Sequence, residues 1–340
     1  MLKRLALRSI ENCGINRLFR FAMRRRLLGL CYHGVIGNDA PFDDLRTHLA
    51  VSQAQFEEQM NELRKQWKPV SLTQILNHFQ HGKTLPDKAV FVSFDDGFAN
   101  NLTFAAPILQ KYQIPAAIFL TTGLLGTQQT VWALELLERI HDWEPPKFVL
   151  PKGVSLDGSS EIELPPTGSK ERFDTAYSIF AQCRSLSEAK RKDYLQCLDK
   201  MQRWHPQEQW QKDLYRMLDW DEVEELYHQG IEFGIHTVSH CSLAQIDINE
   251  AVKEMETAKA ALRKRLKFEP FSIAYPFGDS DSYSEVIVKE SAVSGFRLGF
   301  TLSMRRNPEV LNPLLIDRIC ITGDLTLPSF QALISGLRNG

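Results

Sequence analysis

No stretch of this 340-residue sequence reaches the roughly 18 consecutive apolar residues of a membrane-crossing helix, so no spanning segment is expected. A secretory signal peptide is not expected either. Arginines recur through the first residues, and no apolar run of about 7 to 15 residues ends at a small-residue cleavage site. The six cysteines, Cys13, Cys31, Cys183, Cys197, Cys241 and Cys320, lack Cys-x-x-Cys spacing, which excludes a zinc knuckle or a thioredoxin-like motif. Without an export signal, reduced thiols in a cytoplasmic compartment are expected, most of them packed as small core residues. An excess charge of either sign is lacking too. The net charge of -2 and a pI near 6.5 give no electrostatic reason to expect a nucleic-acid partner. Internal repeats and low-complexity tracts are absent.

What is present has a globular composition: 43% hydrophobic and 24% charged residues, with a mean hydropathy of -0.26. Such a length accommodates one large α/β domain or two ordinary ones. Charge is concentrated locally. Residues 1–28 carry Lys3, Arg4, Arg8, Arg17, Arg20, Arg24, Arg25 and Arg26 against the single acid Glu11, with leucines and isoleucines interspersed. The pattern predicts a basic amphipathic helix over 1–26. It suits either peripheral docking on an anionic membrane, at roughly 1 kcal/mol per basic residue, or plain packing against the domain. The expected location is cytoplasmic, at the inner membrane face if the helix docks.

From residue 27 onward short apolar runs alternate with helical patterns, the signature of successive β-α units. The predicted strands are 27–32, 89–94, 116–120, 231–235, 271–275, 298–302 and 317–321. Several are almost continuously apolar, as strands covered on both faces are. Phe56, Met60, Leu63 and Trp67 recur at helical spacing behind Ser52, a plausible N-cap. Asp219 followed by Glu222 has the form of a capping box, and 248–266 reads as a helix with basic residues at its C-terminal end. Between about 127 and 216 the rhythm breaks into a helix near 132–141, a hairpin through 147–164 and helices starting near 170 and 187. This segment is expected to be an α+β insertion in one β-α loop. It would serve either substrate specificity or stability.

Three strand ends carry chemistry. Ser93-Phe94-Asp95-Asp96-Gly97 closes an apolar run, the position where parallel sheets and barrels collect active sites. Adjacent carboxylates there repel unless a cation or shared proton relieves them. His236-Thr237-Val238-Ser239-His240 follows another strand, and its spacing puts both imidazoles on one face if the segment turns helically. Two such nitrogens and one carboxylate make a divalent-metal site with open positions. Tyr275-Pro276-Phe277-Gly278 ends a third strand, where a fixed turn would aim an amide, that of Phe277, at a developing oxyanion. Each motif alone has a bland alternative, a surface turn or a chance histidine pair.

In this order the three elements resemble the polysaccharide deacetylase family, carbohydrate esterases of family 4, which remove acetyl groups from glycans. The resemblance spans about residues 27–322. It includes Leu30-Cys31-Tyr32-His33-Gly34-Val35, the segment Ile114 to Gly123, and the closing Arg318-Ile319, and is strongest to the branch acting on exopolysaccharides such as poly-N-acetylglucosamine. It implies a distorted (β/α)7 barrel over 27–340, with Asp96, His236 and His240 as metal ligands and Asp95 as general base. A divalent cation, zinc by preference with cobalt or nickel as alternatives, would acidify water and polarise the acetyl carbonyl. The implied substrate is an N-acetylated glycan or a lipid-linked or nucleotide-linked sugar precursor.

Two departures stand out. Many relatives supply a general acid from a C-terminal Leu-x-His element, whereas this sequence has no histidine after His240. His33, at the end of the first strand and next to the last one in a closed barrel, is the expected replacement. Relatives also brace the catalytic aspartate with an arginine two residues before the proline of the third element. Ala274 stands there, leaving Arg318 either as the substitute brace or in a surface salt bridge. Hydrolysis of a small non-sugar amide and a non-catalytic glycan-binding role remain as alternatives.

Overall fold

The computed structural model describes residues 24–40, 48–154, 156, 158–206, 208–303, 307–308 and 312–336. Residues 1–23, most of the expected basic helix, lie outside the described residues, and 24–26 form a turn ahead of the first strand.

Seven parallel strands close into a barrel: β1 Leu28–Tyr32, β2 Ala89–Phe94, β3 Ala116–Leu120, β4 Glu232–Ile235, β5 Ser272–Ala274, β6 Leu298–Leu302 and β7 Ile316–Cys320. Closure comes from β1, which pairs with β2 on one side and β7 on the other. The strand Lys68–Pro69 extends the ring beside the start of β2, and Gly34–Ile36 pairs with Ala50–Ser52 in a separate two-stranded sheet. The expected (β/α)7 barrel is therefore the observed one, and each predicted strand lies within one residue or so of its observed bounds.

Alternation explains how nearly continuous apolar runs are used. Val90 and Val92 point into the layer between barrel and helices, whereas Phe91 joins Phe119 and Phe300 in the barrel interior. Their rings meet at centroid distances of 5.1 Å for Phe91–Phe300 and 5.1 Å for Phe119–Phe300. These three rings floor the barrel, each contributing about 1.5–3 kcal/mol by burial. The helices outside are α1 Gln53–Gln66, α2 Leu72–His81 and α3 Ala106–Tyr112. Ser52 caps α1 through a capping box, and Phe56, Met60 and Leu63 form its buried face.

After β3 the chain leaves the barrel for α4 Trp132–His141, a hairpin of Phe148–Val149 with Glu161–Ile162, α5 Lys170–Cys183, α6 Glu188–Met201 and α7 Gln209–Tyr215. These elements share their own hydrophobic core, including Trp132, Leu136, Ile140, Phe148, Ile179 and Leu198. The barrel resumes with α8 Trp220–His228, α9 Ile248–Leu266, α10 Glu285–Val293 and α11 Leu327–Ser335. Asp219 and Glu222 form the capping box of α8. Among the described residues no helix is long and apolar enough to cross a membrane.

Register aligns the strand ends. Cys31 lies opposite Ser93 on one side and Cys320 on the other, and Leu120 lies opposite Ile235. Residues that follow β1, β2, β4 and β5, together with the end of β7, therefore gather on one rim.

Candidate active site

Asp95 and Asp96 leave β2 toward different partners. The backbone turns left-handed at Asp96, with φ 72°, and continues so at Gly97, with φ 91°. A Cβ on Gly97 would come within 2.8 Å of Leu120 Cδ2, so glycine is required there by space as well as by conformation.

Asp95 is buried and receives both guanidinium arms of Arg318, Nη1 to Oδ1 at 2.7 Å and Nη2 to Oδ2 at 2.8 Å. Nη1 also donates to Ser93 Oγ at 3.0 Å, which in turn donates to the Leu30 carbonyl at 2.8 Å. Below, the guanidinium carbon sits 5.1 Å from the Phe119 ring centroid and 5.6 Å from that of Phe300. Arg318 is fully buried, which removes the surface-salt-bridge reading. Burial alone would raise the Asp95 carboxyl. The Arg318 charge outweighs it and holds the group well below the usual carboxylate range.

Asp96 faces the histidines. Its Oδ1 is 3.5 Å from His236 Nε2 and 3.2 Å from His240 Nε2. His236 Nδ1 lies 2.8 Å from the Ala274 carbonyl, a partner that takes its N–H and leaves Nε2 as the electron-pair donor. Burial, the largest influence on His236, lowers it to about 4 and keeps the ring neutral. The segment 236–240 does not turn helically. Thr237 at φ 66° and His240 at φ 55° fold the segment into an irregular loop, in which the His240 amide donates to Thr237 Oγ1 at 3.0 Å. Convergence of the imidazoles thus comes from two left-handed residues, not from helical periodicity.

These three residues fit a divalent metal. Their ligand atoms lie within 4.8 Å of one another, and Asp96 Oδ1 is buried without a hydrogen-bond donor, a costly state that a cation relieves. A second group, Cys31, His33 and Asp95, is equally compact. It suits a metal less well, because Arg318 occupies both Asp95 oxygens and burial pushes the Cys31 thiol well up.

His33 follows β1 on the same rim, its carbonyl accepting from Asn101 Nδ2 at 2.8 Å. Its Nδ1 is 4.0 Å from Cys320 Sγ. Burial works to lower this histidine, but the Cys320 sulfur and the Asp96 and Asp95 carboxylates prevail and raise it to about 9. Phe277 lies past β5 with φ 67°, followed by Gly278 at φ 65°, where a Cβ would meet Leu302 N at 2.4 Å. The Phe277 amide donates to no acceptor among the described residues, and its ring meets His240 edge-on at 4.7 Å. All seven sequence-identified residues therefore share one rim: Arg318, Asp95 and His33 toward β1 and β7, and Asp96, His236, His240 and Phe277 toward β4 and β5.

Several supporting residues escaped the sequence reading. Glu254 of α9 accepts from the Val238 and Ser239 amides at 2.8 and 2.9 Å, pinning the ligand loop. Trp132 of the insertion donates Nε1–H to the His240 carbonyl at 2.9 Å. Arg184 stacks 4.5 Å over Phe277 and grips Asp279 at 2.7 and 2.8 Å. No local motif signals any of these contacts, since each joins residues far apart in sequence.

The family model for polysaccharide deacetylases matches residues 82–144 and 187–297, together more than half of the sequence. Among curated proteins, the poly-β-1,6-N-acetyl-D-glucosamine N-deacetylase of Escherichia coli K12 is 42% identical over 69 residues, 20% of this chain and 10% of that protein. Its counterpart from Staphylococcus aureus strain MSSA476 is 39% identical over 82 residues, 24% of this chain and 28% of that protein. The chain thus spans less than a third of the length of either relative. Two solved structures share the fold over nearly the whole chain. The Streptococcus pyogenes deacetylase PplD has a TM-score of 0.57 at 18% identity, covering 91% of this chain and 98% of that one. IcaB from Ammonifex degensii has a TM-score of 0.57 at 19% identity, covering 92% and 97%.

Proposed function

Because the chain belongs to the polysaccharide deacetylase family, we propose that its barrel rim hydrolyses the N-acetyl group of an N-acetylhexosamine unit in a glycan. The poly-β-1,6-N-acetylglucosamine named for its curated relatives is the favoured substrate class. One observation carries the reading. A buried carboxylate and two imidazoles converge within 4.8 Å, next to a second carboxylate that is kept out of the ligand set by Arg318.

Asp96, His236 and His240 would hold a divalent cation, which would supply Lewis acidity for the acetyl carbonyl and the attacking water; zinc, cobalt and nickel are all compatible with these ligands. The chain's own residues do the rest. Asp95 stays ionised beside Arg318 and accepts the proton of the attacking water, each oxygen keeping a lone pair after the arginine is satisfied. The Phe277 amide donates to the oxygen that gains charge as the carbonyl carbon becomes tetrahedral. When the carbon–nitrogen bond breaks, the amine takes a proton from His33 Nε2, the nitrogen opposite the one facing Cys320. Acetate and a free amino sugar leave.

The test is acetate release from N-acetylated glycans, with and without chelator, beside Asp95→Asn. Loss under both treatments is expected, and persistence under either overturns the reading. A small non-sugar amide is disfavoured by the family and should be a poor substrate in the same assay.

The basic sequence of 1–28 supports contact with an anionic membrane surface, where the glycan would be met. Sedimentation with phosphatidylglycerol vesicles, lost when the eight basic residues are neutralised, tests this. Equal sedimentation of the neutralised chain removes the membrane element and leaves the chemistry standing.

A further inference from the structure

Helix α5 of the insertion carries two neighbouring stripes. Arg172, Ala176, Ile179 and Cys183 are buried against the insertion core. One position along, Phe173, Tyr177 and Phe180 repeat at helical spacing and stay partly exposed. They form a continuous row. Phe173 lies 4.5 Å from Tyr177, Tyr177 6.0 Å from Phe180, Phe180 5.6 Å from Phe277, and Phe277 4.7 Å from the metal-ligand candidate His240.

At its far end the row meets His48, an exposed residue whose ring is 5.7 Å from Phe173 and 6.5 Å from Tyr177. The aromatic row therefore leads from the rim at His240 along α5 to His48. Half-wet aromatics grouped in this way are poor choices for a solvated helix face and good ones for a surface that meets a ligand.

We propose that Tyr177, Phe173 and His48 form a second sugar subsite, which stacks on the apolar face of the glycan residue next to the one being deacetylated. The proposal rests on the deacetylase reading for the identity of the sugar. A pyranose ring presents axial C–H groups on its faces and hydroxyls at its edge. Flat aromatic rings suit the faces, with C–H···π contacts as the attraction, and the exposed His48 imidazole can hydrogen-bond an edge hydroxyl. The row carries no fixed charge of its own, and Arg184, the cation stacked on Phe277, is already met by Asp279. A neutral sugar fits this surface better than the diphosphate of a nucleotide-linked monosaccharide. It follows that the protein prefers oligomers over single sugars.

Binding and turnover are measured separately. Asp95→Asn protein, loaded with zinc, is titrated calorimetrically with β-1,6-linked N-acetylglucosamine monomer and tetramer. The tetramer is expected to bind at least tenfold more tightly. Tyr177→Ser in the same background should remove most of that difference, and Tyr177→Phe, which keeps the ring, should retain it. Phe173→Ser provides the same reading should Tyr177→Ser fail to melt cooperatively. Equal affinity for monomer and tetramer, or a tetramer preference that survives loss of the ring, overturns the subsite. If the tetramer binds through Tyr177 but the unsubstituted protein releases no acetate, the subsite stands and the deacetylase reading falls. If acetate is released with a tetramer-to-monomer kcat/KM ratio indifferent to Tyr177→Ser, the subsite falls instead.

Discussion

Arg318 meets Asp95 with both arms of its guanidinium, at 2.7 and 2.8 Å, in a contact closed to water and floored by Phe119 and Phe300. Two opposed influences act on the carboxyl. Burial favours its neutral form, Arg318 favours its charged form, and Arg318 prevails. The pair need not add net stability, because desolvating both charges offsets much of their attraction. What it fixes is the ionisation and direction of the base.

Replacing Arg318 with methionine removes the influence that lowers the carboxyl and leaves the one that raises it. The acid limb of the kcat/KM profile should therefore move to higher pH by at least one unit, with kcat/KM at neutral pH down by about 10²–10⁴, the usual worth of a positioned base. An unpaired buried carboxylate should also cost about 3–5 kcal/mol of stability. Denaturant melts and pH-rate profiles on the same protein read both effects. An unmoved acid limb would show that Asp95 is not the titrating base.

This pair also marks where sequence stops being informative. Val90-Phe91-Val92 announces a doubly covered strand, and Asp95-Asp96-Gly97 after it announces a site, because apolar continuity and a glycine turn are local signals. Arg318 is separated from Asp95 by more than 200 residues, and only closure of the barrel through β1 brings them together. Glu254 and Trp132 reach the ligand loop across shorter separations, 16 residues to Val238 and 108 to His240, yet these contacts too follow from how helix and insertion pack and not from a local motif. At His236 to His240 the spacing brings both imidazoles to one face only if the segment turns helically, and the left-handed residues Thr237 and His240 make it a loop instead. The aromatic stripe of α5 was invisible for a different reason: helical spacing shows that Phe173, Tyr177 and Phe180 share a face, but not that the face borders the barrel rim.

His33 is raised to about 9 and so carries a proton through neutral pH, as a general acid requires. Activity should fall on the alkaline side as this proton is lost, below pH 9 once a bound cation offsets the Asp96 charge that helps raise the group. His33→Gln should remove that alkaline limb and lower kcat by about 10²–10⁴, while metal content stays at the level of the unsubstituted protein. Near-normal turnover by His33→Gln would remove the residue from the mechanism.

Glu254 accepts two amides and the Ser239 hydroxyl from the loop between the histidines, at 2.8, 2.9 and 2.9 Å. Glu254→Ala frees that loop without touching a ligand atom. By analogy with other supporting residues around metal sites, affinity for zinc should drop about 10–100-fold. Competition with a chromogenic chelator measures it. Saturating zinc should restore most of the turnover, and failure of that rescue would assign Glu254 to the chemistry rather than to positioning.

Asp96 Oδ1 is buried without a donor, opposite two imidazole nitrogens. A cation bound to the folded chain alone stabilises it by mass action, by about 2.7 kcal/mol at a free concentration of 100 Kd. For a domain somewhat beyond 150–250 residues, each kcal/mol shifts the melting midpoint by about 2–4 °C or slightly less. Adding zinc to chelator-stripped protein should thus raise Tm by several degrees. Asp96→Ala should abolish that increment, because two imidazoles bring no negative charge to hold the ion; the increment is read within the variant, with and without zinc, since alanine at the left-handed φ of 72° lowers its metal-free Tm. A zinc increment of the same size in Asp96→Ala would mean that the cation binds elsewhere in the fold.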